Sequence, residues 1–153
     1  MALADRRRDV DEDRWIRAGD FVRQSARWLR ISYWVGAISD GIAAWVMLSQ
    51  AFLGFESPLT RMIPEIPYRY AMGMAGSLMA GWTILLLWAD RKPVERRDVL
   101  VITNVVILGL MASGIYAVSS GFAPLSSMAP MLIFQGMLIA LFTSSYMNSR
   151  GGK

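Results

Sequence analysis

The chain of 153 residues contains no cysteine and no histidine. Without cysteine it can form no disulfide, and it has no thiolate to act as a nucleophile or an iron–sulfur ligand. Without histidine it lacks the most common metal ligand and the side chain that most often transfers protons near neutral pH. These two absences remove most familiar catalytic and metal centres, so we expect no metal, no cofactor and no enzymatic activity.

Charge is also scarce, at 18% of residues, whereas hydrophobic residues make up 54%. The apolar residues are concentrated in four blocks, at about 31–53, 70–89, 99–119 and 128–148. Each block has close to the roughly 20 residues that a helix needs to cross a bilayer. Lipid offers no hydrogen-bond partners to the backbone, so such blocks must be helical. The sequence therefore predicts an all-α fold, a polytopic integral membrane four-helix bundle.

The positive charges lie unevenly between the blocks. Fourteen of the 16 lysines and arginines fall before the first block, between the second and third, or after the fourth. Because cytoplasmic loops carry an excess of Lys and Arg, this bias predicts that both termini are cytoplasmic, including a short tail at 149–153. No targeting segment is recognisable before the first block, and we expect a multi-pass protein of a cell membrane, of the bacterial inner-membrane type.

Residues 1–30 form a charged segment that we expect to be cytoplasmic. From Asp13 onward, apolar residues such as Trp15, Val22 and Leu29 recur at helical spacing among arginines. This pattern predicts a basic amphipathic helix that lies in the headgroup layer and contacts anionic lipid headgroups. The positive-inside distribution of Lys and Arg already explains these arginines, so we expect no nucleic-acid partner.

One charged residue, Asp40, lies near the middle of the first block. An Asp at the centre of a spanning helix costs about 2.5–3.5 kcal/mol on the insertion scale, so its side chain should face protein or water. Matching depths along the other helices places Asn104, Gln135 and Ser77 near its level. A protonated Asp40 can donate a hydrogen bond to Asn104 or Gln135. These four residues are the candidate polar intramembrane site, for a proton or a cation.

Small residues recur in three of the blocks at spacings that place them on one helix face. Small side chains allow membrane helices to approach closely, so these positions predict helix packing and a possible seam in a homo-oligomer or a larger membrane complex. They are Gly36 and Ala44 in the first block, Gly73 and Gly81 in the second, and Gly109 and Ser113 in the third.

The stretch from Asp40 to Ala43 resembles the Asp-Gly-x-x-Ala core of membrane CDP-alcohol phosphotransferases. Ala44 stands where that family has arginine, and its other carboxylates are missing here, so two divalent metals would lack ligands. The four spans with a carboxylate in the first also resemble small multidrug transporters, in architecture alone. Two functions stay open: a structural or accessory membrane component, which we favour, and a small proton- or cation-coupled transporter or channel that uses Asp40.

Overall fold

The computed structural model describes the backbone of residues 2–55 and 65–150, and the side chains of residues 23–55 and 65–150. Over these ranges the chain forms four α-helices and no strand. The helices are α1 (Ala2–Leu53), α2 (Ile66–Asp90), α3 (Asp98–Ser119) and α4 (Leu125–Arg150). Each includes a segment that is long and apolar enough to cross a membrane, which in α1 is Arg23–Leu53. By length and composition, the four helices are compatible with a multi-pass membrane protein.

Helix α1 joins two segments that the sequence separates. We predict a boundary between an interfacial helix and the first span near residue 30, but the helix continues through this point without a break. At 1.5 Å per residue, its 52 residues extend for about 78 Å, well beyond a hydrocarbon core of about 30 Å. Most of the predicted amphipathic face belongs to residues whose side chains lie outside the described part, so its position in the headgroup layer stays a prediction.

Two helices begin earlier than the apolar blocks indicate, and proline is the reason in both. Helix α2 begins at Ile66, with Pro67 in its first turn, where a missing N–H breaks no intrahelical hydrogen bond. Helix α4 begins at Leu125, just after Pro124, whose carbonyl accepts hydrogen bonds from the N–H groups of Ser127 and Met128. Both prolines therefore mark the start of a helix.

The end of α1 is tied to the beginning of α2 by Arg69. Its Nε donates to the carbonyl of Ala51 at 2.8 Å and its Nη2 to that of Phe52 at 3.1 Å. These carbonyls belong to the last turn of α1, where no later N–H can reach them, and the positive guanidinium also complements the negative end of the helix dipole. Gly54 follows with φ = 70°, a left-handed conformation that glycine adopts without steric cost.

The helices form two antiparallel pairs, α1 with α2 and α3 with α4, and α4 also packs against α1. We call the end that contains residues 23–30, 91–97 and 146–150 the basic end. The main hydrophobic core lies in the half of the helices nearest this end. It consists of Leu29, Tyr33, Ala37, Leu86, Ala89, Leu100, Ile107, Leu138 and Phe142.

In the other half, small residues bring the two members of each pair together. A Cβ atom on Gly76 would lie 2.8 Å from Leu48 Cγ, and one on Gly114 would lie 3.2 Å from Leu132 Cδ2. The first contact closes α1 on α2, and the second closes α3 on α4. Both glycines are buried.

Candidate functional site

Asp40 lies on the inward stripe of α1. Ala37 and Ala44, one turn before and after it, are 3% and 4% exposed, and Asp40 itself is half-buried between them. The neighbouring Gly41 faces α2, because a Cβ at this position would lie 3.7 Å from Thr83 Cγ2. Among the side chains that the structure describes, none forms a hydrogen bond or a salt bridge with the Asp40 carboxyl group.

Two of the predicted neighbours of Asp40 point a polar group into the interior. Asn104 donates from Nδ2 to Thr143 Oγ1 at 3.1 Å, while its Oδ1 is buried without a hydrogen-bond partner. Gln135 on α4 is 7% exposed, and its Oε1 is likewise buried and unpartnered. Two buried amide oxygens therefore lack a hydrogen-bond donor. A protonated carboxyl group such as that of Asp40 has an O–H that can fill this role.

The third predicted neighbour, Ser77, lies apart from the interior. Its side chain is exposed, and its hydroxyl donates to the carbonyl of Gly73 in the preceding turn at 2.8 Å. This is the usual way in which a serine satisfies its own hydroxyl within a helix. Ser77 faces outward from the described helices. It also lies about two turns from the level of Asp40, because the adjacent Gly76 lies against Leu48 whereas Gly41 lies against Thr83.

The predicted packing positions divide into an inward and an outward group. A Cβ on Gly36 would lie 3.0 Å from both Leu86 Cδ1 and Phe142 Cζ, one on Gly73 would lie 3.6 Å from Ala51 Cβ, and Ala44 is buried. By contrast, nothing in the described part lies within 4 Å of a Cβ on Gly81 or Gly109, and Ser113 is exposed. A packing role for these outward residues therefore requires a second molecule.

Two hydrogen bonds between helices involve residues that the sequence did not single out. The Ser32 and Ser145 hydroxyls join α1 to α4 at 2.7 Å, and Trp82 Nε1 donates to Thr103 Oγ1 at 3.2 Å between α2 and α3. Serine and threonine are common in spanning helices, where most bond to their own backbone, so residue type alone does not mark the few that bridge helices.

The interior also limits what chemistry the site can perform. Within the described ranges, no three Asp or Glu side chains lie close enough together to hold a metal ion. Asp40 is the one acidic residue of the middle stretch of the spans, and the polar groups nearest its depth are amides and hydroxyls. Such a set can exchange a proton or bind a monovalent cation, and it lacks the paired groups of general acid–base catalysis.

Comparison with known proteins adds no relative, since no family model, no curated protein and no solved structure matches this chain.

Proposed function

We propose that this chain is a structural or accessory component of a membrane, without a catalytic site of its own. The main support for the proposal is that apolar side chains fill the space between the helices in the half nearest the basic end. The side chains of Leu29, Tyr33, Leu86, Leu100 and Phe142 are all fully buried there. A solvated path across the membrane would have to pass between these side chains, which touch one another as a single apolar cluster.

The outward faces of α2 and α3 support assembly with other membrane helices. Gly81 and Gly109 lie open on these faces, and large apolar side chains such as Leu78 and Leu108 are exposed beside them. Small residues flanked by large ones are typical of helix–helix contacts in bilayers. We propose that these faces meet a second copy or a larger membrane complex, with both termini in the cytoplasm of a bacterial inner membrane, as the distribution of Lys and Arg favours.

Photo-crosslinking in native membranes tests this assembly. Because the chain has no native cysteine, a label attached to an introduced cysteine occupies a single known position. A single cysteine at Gly81 or Gly109, labelled with a benzophenone maleimide, reports only on that position. We expect one discrete adduct of defined mass from at least one glycine position. A cysteine at Ile133, an exposed position on α4, is the matched control and should give only lipid adducts. Lipid adducts alone at all three positions would contradict the proposal.

The second candidate function is a small proton- or cation-coupled transporter, and Asp40 favours it. Its carboxyl group lies on the inward stripe without a hydrogen-bond partner among the described side chains, while Gln135 Oε1 lacks a donor in the same interior. Intramembrane carboxyl groups of this kind commonly belong to ion pathways.

Carbodiimide labelling decides between the two functions. If the accessory function holds, a hydrophobic carbodiimide should leave Asp40 unmodified at every pH, while a water-soluble one modifies the exposed Glu95 as the internal control. Reconstituted vesicles should then show the same proton flux for the wild type and for Asp40→Asn. Labelling of Asp40 together with a wild-type flux that Asp40→Asn abolishes would establish the transporter instead.

A further inference from the structure

A groove of about 540 Å³ opens at the basic end, between α1 and the link that joins α2 to α3. One wall is the last turns of α1 before the span, and the other is the link from Lys92 to Glu95. Four basic residues line it, namely Arg23, Arg27, Arg30 and Lys92.

The charges in this groove are poorly balanced. Among the described residues that line the groove, Glu95 is the only acidic one, and it already pairs with Lys92 at 2.9 Å. Arg30 lies 3.7 Å from Asp90, outside the groove, and among the described side chains neither Arg23 nor Arg27 forms a salt bridge. Membrane topology requires a number of positive residues near this end, but it does not require them to converge on one groove from two separate segments.

Contacts with the helices hold the link that forms one wall of the groove in place. The Tyr33 hydroxyl, on the fully buried side of α1, donates to the carbonyl of Arg96 at 2.9 Å and holds the link against the core. The Arg96 guanidinium stacks on the Trp88 ring, 3.3 Å from its centroid. Fixed walls lower the entropy that binding would otherwise have to offset.

The remaining lining is apolar and lies directly beside the first span. Ala26, Pro93 and Val94 complete the groove, and the candidate span of α1 begins at Arg23 itself. A ligand in this position meets guanidinium groups on one side and short apolar side chains on the other. An anionic phosphate attached to an acyl glycerol has this same combination of charge and apolar surface.

We propose that this groove binds the headgroup phosphate of an anionic membrane lipid, with the phosphate between Arg23 and Arg27 and the glycerol against Pro93 and Val94. Guanidinium groups form strong charge-assisted hydrogen bonds with phosphate oxygens. Basic pockets beside spanning helices are suited to anionic lipid headgroups. The inference does not depend on the accessory function proposed above, because either function is compatible with a bound lipid.

Native mass spectrometry of the full chain tests this proposal. The purified protein in detergent is given equal amounts of phosphatidylglycerol and phosphatidylcholine with identical acyl chains. We expect one retained phosphatidylglycerol, with a preference of about tenfold or more. Both lipids carry the phosphate, but phosphatidylcholine adds a quaternary ammonium group, which the arginines repel. The double variant Arg23→Gln, Arg27→Gln should lose this preference.

The control variant is Arg91→Gln, Arg150→Gln, which removes the same charge from exposed residues outside the groove. It should keep the preference of the wild type. Equal loss in both double variants would show a diffuse surface effect and would overturn the proposal, as would equal retention of the two lipids by the wild type. Glycerol 3-phosphate in large excess should leave the lipid bound, and its displacement of the lipid would instead indicate a site for soluble phosphates.

Discussion

Leucine in place of Gly76 is expected to destabilise the helical unit by about 3 kcal/mol, the upper end of the usual range for overpacking. A Cβ at this position would lie 2.8 Å from Leu48 Cγ and 3.2 Å from the Leu48 backbone nitrogen. A side chain can change rotamer, but a backbone nitrogen moves only with its helix, so α1 and α2 would have to separate. Reversible unfolding of the purified protein in mixed micelles, followed by circular dichroism during titration with dodecyl sulfate, measures the change.

Gly136→Leu on α4 is the control, because this position lies outside the faces of α2 and α3 that we propose for assembly. Nothing in the described part lies within 4 Å of a Cβ there, so leucine should fit, and its better helix propensity should raise stability by up to about 1 kcal/mol. Equal destabilisation by both substitutions would point to membrane insertion rather than to packing. If Gly76→Leu unfolded at the same point as the wild type, α1 and α2 could not approach each other as closely as described.

The four helices follow directly from the apolar blocks, because a block of that length has no other stable conformation in lipid. The helix ends are harder to predict. The sequence signals at the start of α2 and α4 are prolines, which fit the start of a helix. A proline is also tolerated inside α4, at Pro130, so a proline alone does not locate a helix end. The continuity of α1 could not be predicted either, since a change in composition near residue 30 need not interrupt a helix.

The inward position of Asp40 was also predictable, because its cost in lipid excludes the outward face. Its neighbours were not predictable, since matching depths gives the level of a residue only to within about two turns and leaves the rotation of its helix free. Ser77 illustrates the difference. It lies on the outward face of α2, whereas Gly76, one position earlier and about 100° around the helix, is buried against Leu48.

The same uncertainty about rotation explains the packing residues. Small residues at four-residue spacing mark a face that another helix can approach, but the pattern does not say whether that helix belongs to the same chain. On α3 the outward pair is Gly109 and Ser113, while Gly114 makes the inward contact. Two adjacent small residues on one helix thus point to two different partners, one inside the fold and one that the crosslinking experiment would identify.

Phe142→Ala is expected to destabilise the protein by about 2–3 kcal/mol. Phe142 is fully buried in the core near the basic end, and its ring lies against Gly36. In a soluble protein this change would also lose the transfer of the ring from water, but a spanning helix is surrounded by apolar groups whether it is packed or separated. The cavity that remains is the main cost, at about 24 cal/mol per Å³ for a loss of roughly 100 Å³. The same unfolding titration measures it.

Phe134→Ala on the same helix is the control. It distinguishes the loss of contacts between helices from the loss of an apolar side chain that faces lipid. Phe134 is 41% exposed on the described helices, so its removal leaves space that lipid can fill, and stability should change by less than about 0.5 kcal/mol. A similar loss at both positions would mean that the phenylalanines act through the surrounding lipid. A loss confined to Phe142 would show that α1 and α4 are held together by close packing at the basic end.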